Sequence, residues 1–260
     1  MSLDRSSPYC KPKPASEADP KAMQRIDDIF TNISSTYSCR FMHRQLPEDG
    51  FKIGCNKVPK LMNKTGIQAI FPKKRKPTSI ENREHKVYPY LPKDLAIDRS
   101  NRVRSGDIAY IPTRKGFMYL AAIVDRHSRS ILSRKLSNCM DTAPVADVPK
   151  EALERYGPPE IVNTNRGSQY ASHEHINLPK TNGIRISTNG KGRSIDSIAV
   201  ERFFRTLKYD DIYIQDCNNI TELRRGIGKY IDFYNHKRFH SALGYRKPMN
   251  VYRQGLDRTA

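Results

Sequence analysis

The chain has 260 residues, 46 of them Lys or Arg against 27 Asp or Glu, for a net charge of +19 and a pI near 9.8. That length holds one large domain or two modest ones, and the charge points to a polyanion, nucleic acid before an acidic membrane surface. No stretch approaches the roughly 18 apolar residues of a membrane span, and the N-terminus carries no apolar signal segment. Five scattered cysteines without a C-x-x-C pair argue against a disulfide frame or a cysteine-based zinc site, and for a reducing cytoplasm.

Residues 18–70 read as short helices. Met23, Ile26, Phe30 and Ile33 are spaced i, i+3, i+7, i+10 behind an Asp19-Pro20 start signal. SCRFMHRQL and CNKVPKLMNKTGI predict two more helices, separated by GFKIG, and Pro59 is expected to disturb the last by removing a hydrogen bond. With His43, Arg44, Lys57, Lys60 and Lys64 on them, these helices predict a helix-turn-helix-like DNA-binding region over 15–72. A small packing module with a solvated basic face explains the same pattern. A basic linker follows over 73–100, where Lys73, Lys74, Arg75 and Lys76 lie between prolines and suit phosphate contacts.

From about residue 103 the period shortens. DIAYIP, FMYLAAIVD and SRSILSRKLSN predict three strands in an antiparallel meander. ALERYG ends a helix, PEIVNTN and GIRIS predict a fourth and fifth strand, and helices are expected over roughly 195–209 and 220–236. A meander followed by alternating strands and helices predicts an α/β fold, a mixed sheet with helices on its faces.

Within DSIAVERFFRTLKYDD, Val200, Phe203, Phe204 and Leu207 form an apolar helical face, and Glu201, Arg205 and Lys208 a polar one beside it. Taken alone, Glu201 and Arg205 are an ordinary exposed i,i+4 pair. Asp107, however, opens an apolar strand, a costly place for a carboxylate without a cation. One acid on a strand and another on a helix, in a basic protein, fit a divalent-metal site for phosphoryl transfer, with hard oxygen ligands suited to Mg²⁺ or Mn²⁺.

These motifs resemble the second-frame transposases of the insertion-sequence-three family, and the resemblance covers nearly the whole chain. SGDIAYIPTRKGFMYLAAIVD matches around the family's first acid at Asp107, and VERFFRTLK around its third at Glu201, with the family's basic residue at Lys208. The second falls on Asn165 in NTNRGSQY, thirty-five residues lying between it and Glu201 as in the family. HKVYPYLPKDLAI and YNHKRFHSALGYRKP resemble its linker and C-terminal motif. The resemblance implies an RNase H-like, retroviral integrase-like core over 101–255 with a C-terminal helix. It also implies two Mg²⁺ or Mn²⁺ ions per site held by Asp107, Asn165 and Glu201, with metal-dependent DNA nicking and strand transfer. Arg205, Lys208 and Gln169 would contact DNA. Expected partners are the element ends and target DNA, further copies of the chain on DNA, and a product of an upstream frame that supplies an N-terminal part. Expected localisation is the bacterial cytoplasm, at the nucleoid.

The sequence also departs from the family. Asn165 stands where the pattern has Asp, keeping the spacing but losing the charge, which predicts weakened metal binding and severe loss of catalysis. No tryptophan is present, and Arg104, Pro112, Arg134 and Ile195 occupy positions where the family commonly has Trp. Pro59, Pro149 and Pro179 fall in stretches the family makes helical, each at a cost of about 3 kcal/mol in a helix interior. The pattern predicts a degenerate transposase copy. The alternatives are a catalytically inactive DNA-binding remnant and an RNase H-like nuclease acting on another nucleic acid.

Overall fold

The computed structural model describes residues 18–70, 88–114, 116–139, 142–165, 173–189, 198–215 and 219–256. The chain divides into two compact units, residues 1–71 and 72–260.

The first unit packs α1 (Ala18–Asn32), α2 (Cys39–Glu48) and α3 (Val58–Lys64) around Ile26, Ile29, Met42, Leu46, Val58 and Leu61. The buried seam of α1 is Ala22–Ile26–Ile29, whereas Met23, Phe30 and Ile33 lie half-buried beside it. The expected seam is therefore rotated, because small Ala22 lets α1 approach its neighbours closely and the larger side chains flank the contact. Pro59 is also corrected. It sits in the first turn of α3, where the missing N–H has no helical partner to lose. Arg44, Lys57, Lys60 and Lys64 are exposed and His43 is half-buried. Lys57 is engaged by Asp19 on α1.

The second unit is built on a five-stranded mixed sheet in the order β3-β2-β1-β4-β5. Its strands are β1 (Val103–Thr113), β2 (Gly116–Asp125), β3 (Ile131–Ser137), β4 (Ile161–Thr164) and β5 (Arg185–Thr188). The first three form the antiparallel meander, while β4 and β5 run parallel to β1. Parallel neighbours require crossovers, supplied by α4 (Thr142–Tyr156) between β3 and β4 and α5 (His173–Thr181) between β4 and β5. Beyond β5 come α6 (Ile198–Leu207), a π-helical turn over Lys208–Ile212, α7 (Ile220–His236) and α8 (Pro248–Leu256).

Strand alternation sorts the side chains into two layers. Ala109, Ile111, Leu120, Ala122 and Val124 pack against Val200, Phe203, Phe204 and Leu207 of α6 and Ile227, Ile231 and Tyr234 of α7. Ala121, Ile123 and Leu132 face Val148 and Ala152 of α4 and Met249 and Tyr252 of α8. Asp107 has the parity of Ala109 and Ile111, and so belongs to the α6 face. Arg104 belongs to the α4 face.

That second face buries a charged side chain. Arg104 is 2% exposed. Its guanidinium donates to the carbonyls of Ala152 (3.1 Å) and Tyr156 (3.0 Å) in the last turn of α4, and to Asn101 Oδ1 (2.7 Å). The negative end of the helix thus receives the charge, but the buried Nε has no hydrogen-bond partner among the described residues, and burial pulls the guanidinium pKa down. Beside it lies an apolar cavity of about 20 Å³, bounded among others by Ile123, Pro149, Val162, Pro179 and Ile184. Pro149 and Pro179 are both inside helices, α4 and α5, so Arg104 and both prolines border one void.

Candidate active site

β1 and β4 pair in parallel with Ser105 opposite Asn163 and Gly106 opposite Thr164, and β4 pairs with β5 with Asn163 opposite Ser187. One residue past the end of β4, that register brings Asn165 alongside Asp107 on one side and Asn189 on the other. Asn165 Nδ2 donates to Asp107 Oδ1 at 2.8 Å. Asn189 Nδ2 donates in turn to Asn165 Oδ1, and Asn163 Nδ2 donates to Asn189 Oδ1 at 2.6 Å. Ser187 Oγ donates to Asn163 Oδ1 at 2.9 Å and accepts from the backbone N–H of Leu91 at 3.1 Å.

These bonds form a directional relay. Ser187 takes the Leu91 N–H on one lone pair and gives its own proton to Asn163, and each amide then hands its N–H₂ to the next oxygen. The last N–H₂ meets the Asp107 carboxylate, which accepts. The Asp107 end sets the orientation of Asn165: nitrogen toward Asp107, oxygen toward Asn189.

Asp107 also accepts from the N–H of Ile108 at 2.9 Å. Burial pushes its carboxyl up to about 6, opposed by the two hydrogen bonds to the carboxylate. The Glu201 charge adds to the rise and Lys208 opposes it. Glu201 lies in the first turn of α6, with its side chain exposed. Arg205 is exposed on the same helix, and Lys208 is half-buried at the start of the π-helical turn. No local pattern around LKYDDI marks that turn, which also carries Asp210 and Asp211. Gln169 and the run Lys73, Lys74, Arg75 and Lys76 lie outside the described residues.

The residues present do not fit a pair of divalent cations. Among the described residues no group of three or more His, Cys, Asp or Glu side chains is placed to hold a metal ion. Asn165 turns a donor, not an oxygen, toward Asp107. Turning the amide round would set oxygen against oxygen at the Asp107 carboxylate and nitrogen against nitrogen at Asn189.

Comparison with known proteins agrees with this architecture. Residues 98–194 and 182–248 each match a family model described as an integrase core domain, and residues 17–75 one described as an HTH-like domain. The transposase for insertion sequence element IS904 of Lactococcus lactis subsp. lactis (strain IL1403) is 29% identical over 240 residues, 86% of this chain and 90% of that protein. The chain belongs to the insertion-sequence transposases with an integrase core. Transposase InsF for insertion sequence IS3A of Escherichia coli (strain K12) is likewise 29% identical, over 87% of this chain and 80% of its own. The catalytic core domain of BIV integrase superposes with a TM-score of 0.50 at 20% identity, covering 61% of this chain and 98% of that domain. This likeness supports the RNase H-like, integrase-type sheet of the transposase.

Proposed function

We propose that this transposase is a DNA-binding protein in which metal-dependent end nicking and strand transfer are lost at Asn165. The observation that carries this reading is the 2.8 Å hydrogen bond from Asn165 Nδ2 to Asp107 Oδ1. It puts an amide N–H where the family chemistry needs a third carboxylate facing Asp107 and Glu201. Two carboxylates leave a pair of Mg²⁺ or Mn²⁺ ions short of charge, and the amide contributes none. The partners of this reading are element ends and target DNA in the cytoplasm, at the nucleoid. Further copies of the chain and an upstream-frame product assemble there with it. DNA contacts fall to Arg205 and Lys208 beside the site, to Gln169, and to the basic run Lys73–Lys76.

The test is a strand-transfer assay with Mn²⁺ on element-end DNA, comparing the chain with Asn165→Asp. Binding without joining by the chain, and joining by the variant, is the expected pair of results. Joining by the unaltered chain overturns the proposal and restores the active-transposase reading. Inactivity of both variants, with Asn165→Asp folded, shows that catalysis was lost at more places than Asn165.

A further inference from the structure

A second constellation lies on the α6–α7 side of the sheet. The turn between β2 and β3 carries Arg126 and Arg129, and Arg129 adopts a left-handed backbone with φ of 64°. Asn235 of α7 clamps this turn, accepting from the N–H of Ile131 at 2.9 Å and donating to its carbonyl at 2.8 Å. Tyr234, one residue earlier, stacks edge-on against Phe203 of α6 at 5.2 Å and against His240 at 6.3 Å. Turn, α6 and the segment after α7 therefore converge, and with them Arg126, Arg129, Arg202 and His240.

The anions nearby are already committed. Asp125 accepts from the N–H of Asn101 (3.0 Å) and from the N–H and hydroxyl of Ser128 (2.8 and 2.7 Å). Asp210 is bridged by Arg238 at 3.2 Å and accepts from Tyr230 at 3.1 Å. Among the described residues Arg126 makes one side-chain hydrogen bond, to the Tyr90 hydroxyl, and Arg129 and Arg202 have no ion pair. Burial and the charges of Arg126 and Arg202 pull the half-buried Arg129 guanidinium down, and burial with Arg238, Arg129 and Arg202 takes His240 to about 4. Gathering like charges on a left-handed backbone costs folding energy, and a bound anion offsets it.

We propose that Arg126, Arg129 and Arg202 form a phosphate clamp that holds a phosphodiester of the DNA backbone. Guanidinium forks suit phosphate oxygens, and such contacts position a duplex without reading its sequence. Arg202 adjoins Glu201 on α6, about 100° further round the helix, so a strand held by the clamp passes close to the candidate site. The clamp rests on the DNA-binding reading above but adds residues to it.

The test turns on Arg129→Gly, since glycine adopts a positive φ freely. This variant keeps or raises the melting temperature while removing the guanidinium. Arg202→Gln on the exposed face of α6 is its companion, and Arg155→Gln, which removes an exposed α4 charge paired with Glu151, is the control. Binding of a labelled duplex of arbitrary sequence is followed across a salt series. Arg129→Gly and Arg202→Gln each weaken binding several-fold and flatten the log K against log salt slope by about 0.9, whereas Arg155→Gln leaves the slope unchanged. Unchanged slope and affinity in a folded Arg129→Gly overturn the clamp, as does an equal loss in the control. In melts, inorganic phosphate raises the midpoint of the unaltered chain but not of Arg129→Gly. If phosphate stabilises both alike, no clamp exists. If it discriminates between them while duplex binding does not, the site takes free phosphate and the DNA assignment falls. If the unaltered chain binds no duplex, the functional reading fails separately, and the phosphate melts still decide the clamp.

Discussion

Asn165→Asp replaces the donor at the last link of the amide relay with a second carboxylate, at a cost set by charge repulsion and a lost hydrogen bond. The variant loses the 2.8 Å donor to Asp107 and places a second carboxylate at a similar distance. Two full charges about 3 Å apart repel by about 5 kcal/mol at an effective dielectric of 20, so the pair shares a proton instead. With Asp107 already pushed up to about 6, taking up that proton at pH 7 costs only about 1.4 kcal/mol. Losing the hydrogen bond adds about 1 kcal/mol. The stronger bond from Asn189 to a charged oxygen returns part of this. The net expectation without metal is a loss of about 2 kcal/mol, or about 4–8 °C in melting temperature for a unit of this size. Mn²⁺ reverses it, since a ligand at a hundred times its Kd adds about 2.7 kcal/mol. Differential scanning calorimetry with EDTA and with Mn²⁺ reads both quantities. Melting of the variant together with the parent in EDTA, or equal stabilisation of parent and variant by Mn²⁺, would rule out this role for the Asp107–Asn165 contact.

Asp107→Asn keeps an acceptor for Ile108 and removes the buried charge. An acid whose folded pKa is raised makes the folded state less stable as pH climbs from about 4 through 6, so the variant gains on the parent across that window. The gain reaches up to about 3 kcal/mol above pH 6 and is absent near pH 4, as urea denaturation at several pH values measures. Pro149→Ala restores a hydrogen bond inside α4 and raises stability by about 2 kcal/mol or more, whereas Pro59→Ala in the first turn of α3 stays within about 0.5 kcal/mol. Arg104→Trp fills the void beside α4 and removes a buried charge. It is expected to raise the urea midpoint by the equivalent of about 1–2 kcal/mol, and an unchanged midpoint would show that the carbonyl contacts of Arg104 offset its burial.

The five strands were readable because each is a short β-branched or aromatic run between turn residues, and the apolar face of α6 because Val200, Phe203, Phe204 and Leu207 repeat at helical spacing. The seam of α1 was misread because Ala22 counts for little in an apolar pattern yet is buried completely enough to set the contact. Pro59 was misplaced because its effect depends on where α3 starts, within one or two residues. The amide relay was illegible for a different reason. Ser187, Asn163, Asn189 and Asn165 come together only through the register of two parallel strand pairs, which no local pattern encodes. Likewise, nothing in the sequence around Arg104 shows that helix-end carbonyls would receive its guanidinium.

Asn165 and the group of Arg104, Pro149 and Pro179 fall on opposite faces of one sheet, and this separates two kinds of effect. Asn165 acts on the α6 face, where the relay absorbs it: only the final link differs between Asn and Asp, and Asn163 and Asn189 serve either residue unchanged. Arg104, Pro149 and Pro179 act on the α4 face, where they border one cavity and lower stability without touching the carboxylates. Groups on opposite faces with no shared partner should contribute additively. The double variant Asn165→Asp with Arg104→Trp is therefore expected to melt, in EDTA, within about 0.5 kcal/mol of the sum of the single changes, close to the parent. Its Mn²⁺ response should equal that of Asn165→Asp alone. A coupling of 1 kcal/mol or more would mean that the sheet transmits strain between the faces.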